Sequence, residues 1–201
     1  MIIGRSHLFL FIISSLCIFI VLTSTAQAAF PPPQGWYIEG NSGYSTVSSK
    51  SYGAPNIRRS GPGWNINLGY KLTNYFSAEG GYTHYFPTRI YNGPKLGQDT
   101  HYSYDLAAKA TVPISDTSVD IFGKLGIARV HSNVVISNAQ LAQGLILNPG
   151  AQNVTGLYMA LGIEYYFAPS IAVNLQWARA HGNGQTGDLN LYGGGLSYNF
   201  G

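Results

Sequence analysis

Four charged residues recur at matching distances from short, turn-like segments. Glu79 stands five residues after Asn74 and Lys124 five after Val119, while Lys109 precedes Pro113 by four and Glu164 precedes Ala168 by four. Similar offsets, four or five residues from one end of neighbouring extended segments, place side chains at similar depth. Two carboxylates and two ammoniums held there away from water must pair, because an isolated buried charge is very costly. The expected chemistry is a buried ion network of Glu79, Lys109, Lys124 and Glu164, with Glu39 nearby and Asp105 higher. Such a network either fills a narrow interior or, by switching partners, opens a narrow ion path.

Nucleophilic chemistry has weaker candidates. His131-Ser132 is an adjacent base–nucleophile pair, and His181 with Asp188 or His101 with Asp99 could join a serine at the same rim. A Ser–His site needs a carboxylate to orient the imidazole. Inward carboxylates near that rim are scarce, so these residues are read as solvated and no catalytic residue is assigned. Arg58, Arg59, Arg89 and Lys95 make two connecting segments basic. No metal or nucleotide motif stands out and no cofactor is expected. Asn153-Val154-Thr155 has the form of a glycosylation sequon and is read as chance.

The elements that must position these groups follow an export leader. Arg5 and His7 precede an apolar run from Leu8 to Leu22, and Ala26-Gln27-Ala28 is an A-x-A exit. This pattern predicts a signal peptide over 1–28. The only cysteine, Cys17, lies inside it, so the mature chain 29–201 has neither disulfides nor thiolate ligands. Losing Arg5 lowers the net charge from +3 to +2, which is no nucleic-acid footprint. Only 9% of residues are charged, against roughly 25% in soluble domains. Fifteen tyrosines and 25 glycines accompany that low charge. The combination points to a membrane β-barrel with a lipid-facing wall and aromatic girdles.

Two-residue alternation predicts eight strands, at about Trp36–Thr46, Gly63–Lys71, Tyr75–Tyr85, Tyr102–Val112, Val119–His131, Gly156–Phe167, Ile171–Ala180 and Leu189–Phe200. Most approach the length of a tilted spanning strand. Short turns at 72–74, 113–118 and 168–170 interleave with longer loops at 47–62, 86–101, 132–155 and 181–188. The fold class expected is all-β: an eight-stranded antiparallel up-and-down transmembrane β-barrel with both termini periplasmic. In loop 132–155, Val134-Val135-Ile136 and Leu145-Ile146-Leu147 are apolar enough for a further hairpin, giving ten strands; the simpler reading extends existing strands above the membrane.

Alternation also assigns the faces. Rows such as Trp64, Ile66, Leu68 and Tyr70, or Leu157, Met159, Leu161 and Ile163, must face lipid, which turns Asn65, Asn67, Lys71 and Glu164 inward. The same parity turns Glu39, Glu79, Asp105, Lys109, Lys124, Asn174 and Gln176 inward. Asp120 and Arg129, near strand ends, are set apart as exceptions. The closing row Leu196, Tyr198 and Phe200 should pair with the first strand at Trp36 and Ile38.

Gly35-Trp36-Tyr37-Ile38-Glu39-Gly40, Ala78-Glu79-Gly80-Gly81-Tyr82, Ala107-Ala108-Lys109-Ala110, Gly162-Ile163-Glu164-Tyr165 and Leu196-Ser197-Tyr198-Asn199-Phe200-Gly201 together resemble the OmpA-type transmembrane domain. The resemblance covers nearly the whole mature chain. It implies an interior salt-bridge network at Glu79, Lys109, Lys124 and Glu164. A family arginine is replaced by Asn174, which removes one switch partner and argues against gating. Larger family members continue into a peptidoglycan-binding domain. The chain ends at Gly201, so the expected likeness is to stand-alone barrels and opacity-type surface antigens. The expected role is structural or surface interaction, meaning adhesion or envelope integrity, without enzymatic activity. A lipid-A-modifying enzyme and a narrow gated channel are the alternatives. Expected partners are outer-membrane lipid and lipopolysaccharide, and a host or cell-surface ligand at the four loops, with no nucleic acid and a monomeric barrel.

Overall fold

The computed structural model describes residues 33–53, 56–91, 94–115, 117–137 and 149–200. The segment 1–28, read above as a signal peptide, and the apolar run Leu145–Leu147 lie outside these residues. Among the described residues ten strands follow in chain order: β1 (Gly35–Ser48), β2 (Asn56–Arg58), β3 (Ser60–Lys71), β4 (Phe76–His84), β5 (Thr88–Tyr91), β6 (Lys95–Pro113), β7 (Val119–Ile136), β8 (Gly150–Ala168), β9 (Ile171–Ala180) and β10 (Asp188–Asn199). Eight of them close a ring in the order β6-β4-β3-β1-β10-β9-β8-β7, with β7 returning to β6. Every pairing is antiparallel. The first and last strands close the ring with Ile38 opposite Tyr198 and Gly40 opposite Leu196. Phe200 N–H donates to the Trp36 carbonyl at 2.8 Å. Closure is what makes the fold possible in lipid, because an open edge would leave backbone groups without partners.

The burial pattern is the reverse of a soluble protein's. Leu106 is 63% exposed and Leu175 62%, while Glu39 and Lys124 are buried. Asp120, set apart in the sequence as an exception, also faces inward and is buried. It shares the parity of Phe122 and Lys124, and a strand's period of two leaves it no other side. Arg129 faces out. It lies opposite Tyr104, in an upper row of rings that runs through Trp64, Tyr82, Tyr104, Tyr102 and His131 with centroids 4.3–5.7 Å apart. A lower row holds Trp36 against Tyr70 and Tyr198 against Phe200, both at 5.2 Å. An outward arginine among the upper rings marks the top of the hydrocarbon band.

The outer ends of the strands run further than the alternation suggested. Strand β6 has 19 residues; at about 3.3 Å per residue and a tilt of about 40°, it spans roughly 48 Å, nearly twice an apolar band of about 25 Å. Val134 to Ile136 extend β7 above the membrane rather than forming a hairpin, and β7 pairs directly with β8. The two extra strands come instead from the first two loops. There β2 pairs with β5, and β5 takes β4's place on β6 beyond Pro87. These extensions are hard to see in the sequence because water, not lipid, faces their outer side. At the other end the turns are short and self-satisfied. Thr73 Oγ1 accepts the amide hydrogens of Tyr75 and Phe76 at 3.2 and 3.0 Å, and Thr117 Oγ1 accepts that of Val119 at 3.2 Å.

Depth along β7 should grade the cost of charge. Leu125→Arg, outward and near the midplane, should lose about 2–4 kcal/mol of stability, whereas replacing the boundary residue in Arg129→Leu should change it by about 0–1 kcal/mol. Urea unfolding from lipid vesicles measures both, and equal effects would contradict this placement of the membrane.

Candidate functional site

The interior is built in three tiers. In the lowest, β6 and β7 set Lys109 directly opposite Lys124. Like charges opposite one another are unfavourable, so this pairing depends on the carboxylates brought in by β1, β4 and β8. Lys124 Nζ lies 2.9 Å from Glu39 Oε1 and 2.7 Å from Glu79 Oε2. Lys109 pairs closely with Glu164 and lies 3.7 and 3.8 Å from Glu39 and Glu79. Both ammoniums also rest on the Phe122 ring, at 4.3 and 5.3 Å from its centroid. Neutral donors complete the shell. Asn41 and Asn67 donate to Glu39 Oε1 at 2.9 and 3.0 Å, the Tyr37 hydroxyl donates to Glu79, and that of Tyr166 to Glu164 at 2.9 Å. Lys71, from the end of β3, donates to the Tyr166 hydroxyl at 3.3 Å.

Five of the six residues singled out from the sequence therefore meet: Glu39, Glu79, Lys109, Lys124 and Glu164. Asp105 stands apart, buried but outside these contacts, beside Gly81, whose missing side chain makes room for it. Asn174 lies directly across from Glu164, with neither side-chain atom hydrogen-bonded.

The middle tier is apolar. Val47, Tyr85, Val130, Tyr158, Leu189 and Leu191 are buried together. Leu189 and Leu191 are on the inward parity of β10, opposite to Leu196 and Tyr198.

The upper tier is a clamp that sequence reasoning missed. Ser49 adopts a positive φ of 64° and turns the first loop back over the mouth. Lys50 Nζ then reaches Asp99 Oδ2 at 2.6 Å and Ser132 Oγ at 2.7 Å. Tyr52 OH donates to Asp99 Oδ2 and Ser132 Oγ to Asp99 Oδ1, both at 2.7 Å. His101 Nε2 lies 3.4 Å from Asp99 Oδ2 and 3.3 Å from Thr88 Oγ1. Asp99 and His101 are thus fully buried on β6 rather than solvated, and Asp99 is an inward carboxylate at the rim where few were expected. The available signal was parity: Asp99, His101, Ser103 and Asp105 continue the inward row of β6. Nothing local marks Lys50 or Tyr52. Beside the clamp, Asp188 accepts from Arg179 and Ser49 at 2.9 Å, with His181 3.6 Å away. Asp188 loses some solvation there, but these donors outweigh that loss and hold its carboxyl below the usual aspartate range.

Alternation separates His131 from Ser132. Ser132 points into the clamp, whereas His131 lies outside, stacked on Tyr102 and bonded to Asn153 at 2.8 Å. They are not a base–nucleophile pair.

Known proteins share this architecture. The sequence profile described as "Outer membrane protein beta-barrel domain" matches residues 14–200. The chain belongs to that family. It is an integral outer-membrane β-barrel protein. An uncharacterised protein of Coxiella burnetii is 28% identical to it, with 83% of this chain and 85% of the relative aligned. Outer membrane protein A of Klebsiella aerogenes is 28% identical over 89% of this chain, which spans about half (51%) of that relative's length. Among solved structures, Neisserial surface protein A superposes with a TM-score of 0.59 at 16% identity, covering 83% of this chain and 97% of that one. OprG of Pseudomonas aeruginosa superposes at 0.57 and 14% identity, covering 84% and 99%. These similarities establish the family and its fold.

Lys109→Ala should strand Glu164 and leave Glu39 and Glu79 to Lys124 alone, lowering stability by roughly 3–5 kcal/mol. Asn174→Arg in the same background should restore part of that loss, since the new guanidinium would stand beside Glu164. Heat-modifiable gel mobility and melting measure both; unchanged melting in Lys109→Ala would contradict a stabilising network.

His101 lies above the hydrocarbon band, three residues beyond Tyr104. Burial, with smaller contributions from Lys50 and His131, pushes its imidazole down to about 4, opposed by Asp99. The neutral form is therefore native. Below about pH 6.5 the unfolded chain takes up a proton that the native site refuses, so this stabilisation is fully present above that pH and declines towards pH 4. Thr88, Tyr52 and Ser132 are the other groups around it. Urea midpoints should fall between pH 7 and 4, less steeply in His101→Asn; parallel slopes would show that His101 does not contribute.

Proposed function

We propose that the protein is a plugged, monomeric, non-enzymatic barrel that acts at the outer surface of the cell envelope, through adhesion or envelope integrity. The observation that carries this reading is the three-tier closure of the lumen. Ion pairs, a packed apolar layer and the Lys50–Asp99–Ser132 clamp lie in series along one narrow interior. An eight-stranded barrel is just wide enough for side chains to fill it. A path for solutes would require all three tiers to part together. The gate reading draws less support, because Asn174 offers Glu164 no second cation.

Catalysis draws little support from the rim. Ser132 is buried and its hydroxyl is engaged with Asp99 and Lys50, while His131 faces the opposite side. In this reading residues 1–28 are removed on export, and the termini and short turns lie in the periplasm. The extended outer wall then meets lipopolysaccharide and, beyond it, host or cell-surface ligands. The segments concerned are 47–62, 86–101, 132–155 and 181–188.

Refolded protein in planar bilayers should give no steady conductance; sustained single-channel steps would overturn the plug. Trimming only the tips, 53–58 and 89–95, which spares Lys50, Tyr52 and Asp99 of the clamp, should abolish binding to cells or glycans while leaving gel mobility intact. Release of acyl chains from lipid A, lost in Ser132→Ala, would replace this reading with an enzymatic one.

A further inference from the structure

The carboxylates of this chain are few enough to account for one by one. Glu39, Glu79, Asp105, Asp120 and Glu164 are buried within the wall, and Asp116 falls in the sequence between β6 and β7, whose connected ends lie away from the outer end. At the outer end only Asp99 and Asp188 remain, and both are engaged, by Lys50 and Arg179. Arg58, Arg59, Arg89 and Lys95 therefore share the outer end with no free intramolecular carboxylate, whatever the neighbouring loops do.

Their arrangement is specific. Arg58 and Arg89 sit directly opposite each other on β2 and β5, a like-charge pairing that is unfavourable unless something anionic bridges it. Both guanidiniums lie against one buried ring, at 5.0 and 5.1 Å from the Phe86 centroid. That ring fixes two planar donor forks side by side. Phe86 is itself anchored, since its amide hydrogen is accepted by Ser45 Oγ at 2.8 Å. Gln98, opposite Arg89 on β6, continues the row, and Lys95 donates to its Oε1 at 3.0 Å.

The direction of this row decides the partner. Ile57 and Ile90 take the inner face of the ribbon, packed with Tyr52 and Leu96. Arg58, Arg89 and Gln98 take the outer face, and along β6 that face continues through Thr100 to Tyr102 and Tyr104 in the upper ring of aromatics. Gln98 is four residues above Tyr102, a height of about 10 Å on a tilted strand. The arginines thus look sideways over the membrane surface, where the headgroups of the outer leaflet stand. Arg129, lower on the same wall, adds a cation at the boundary itself.

We propose that Arg58 and Arg89, held by Phe86 and flanked by Gln98 and Lys95, bind phosphate groups of a phosphorylated glycolipid in the surrounding outer leaflet. Paired guanidinium forks match phosphate oxygens bidentately, as lysines do not. This site rests on the surface role proposed above and names a partner for it.

The test uses the full refolded barrel in detergent, titrated with bisphosphorylated lipid A, with its dephosphorylated form and with heparin. The phosphorylated form should bind, more weakly as salt rises. The Arg58→Gln/Arg89→Gln variant should lose affinity by at least about tenfold, with gel mobility unchanged, and Arg58→Lys/Arg89→Lys should recover only part. The dephosphorylated form should bind all three proteins equally weakly. Undiminished lipid A binding by the Gln variant overturns the site, even where loop trimming still abolishes cell binding and the surface role survives. Preference for heparin over lipid A also overturns it, since the anion would then belong to another cell's surface.

Discussion

Everything in this molecule depends on closing a hydrogen-bonded ring where water cannot reach. Within the hydrocarbon, each backbone N–H and C=O needs a partner from another strand, and only a sheet joined to itself supplies one for every strand. The pairing of β1 with β10 completes that ring. Its consequence is an inverted protein. The outer wall is apolar because lipid demands it, and the charged side chains at mid-membrane depth, Glu39, Glu79, Lys109, Lys124 and Glu164, are driven into a lumen barely wider than the side chains themselves.

That narrowness explains how charge is handled. Lys109 and Lys124 face each other across β6 and β7, an arrangement that only the converging carboxylates of Glu39, Glu79 and Glu164 make tolerable. The pair cannot be judged strand by strand, because its partners come from three other strands. Phe122 lies beneath both ammoniums and Tyr37 caps Glu79, so aromatic and hydroxyl groups share the task of solvating ions without water. Above them the apolar layer and the Asp99 clamp close the bore again, by different physical means.

Outside the membrane the constraints relax and the design changes. Strands β6, β7 and β8 continue past the lipid boundary, and β2 and β5 widen the wall on one side. With no lipid to exclude them, charges appear on the outer face. The acidic residues have been used within the wall or at the clamp, which leaves an excess of cations at the outer surface. The resulting field is a by-product of filling the interior with carboxylates, and it is the physical basis of the surface role proposed above.

The sequence by itself determined the eight spanning strands, the face of nearly every residue on them and the common height of Glu79, Lys109, Lys124 and Glu164. It could do so because lipid penalises any outward charge, so parity in the spanning strands is written in residue type. Asp120 shows how far the rule reaches: it keeps the inward parity of Phe122 and Lys124 even near the strand end. Only the tertiary structure decided the clamp and the arginine pair. Lys50 and Tyr52 meet Asp99 and Ser132 because Ser49 turns a loop inward, and Arg58 meets Arg89 because two short segments, separated by a full hairpin, align beyond the membrane. Lipid faces neither side of those segments, so it imposes no pattern that alternation could reveal, and their partners are chosen by contacts distant in sequence.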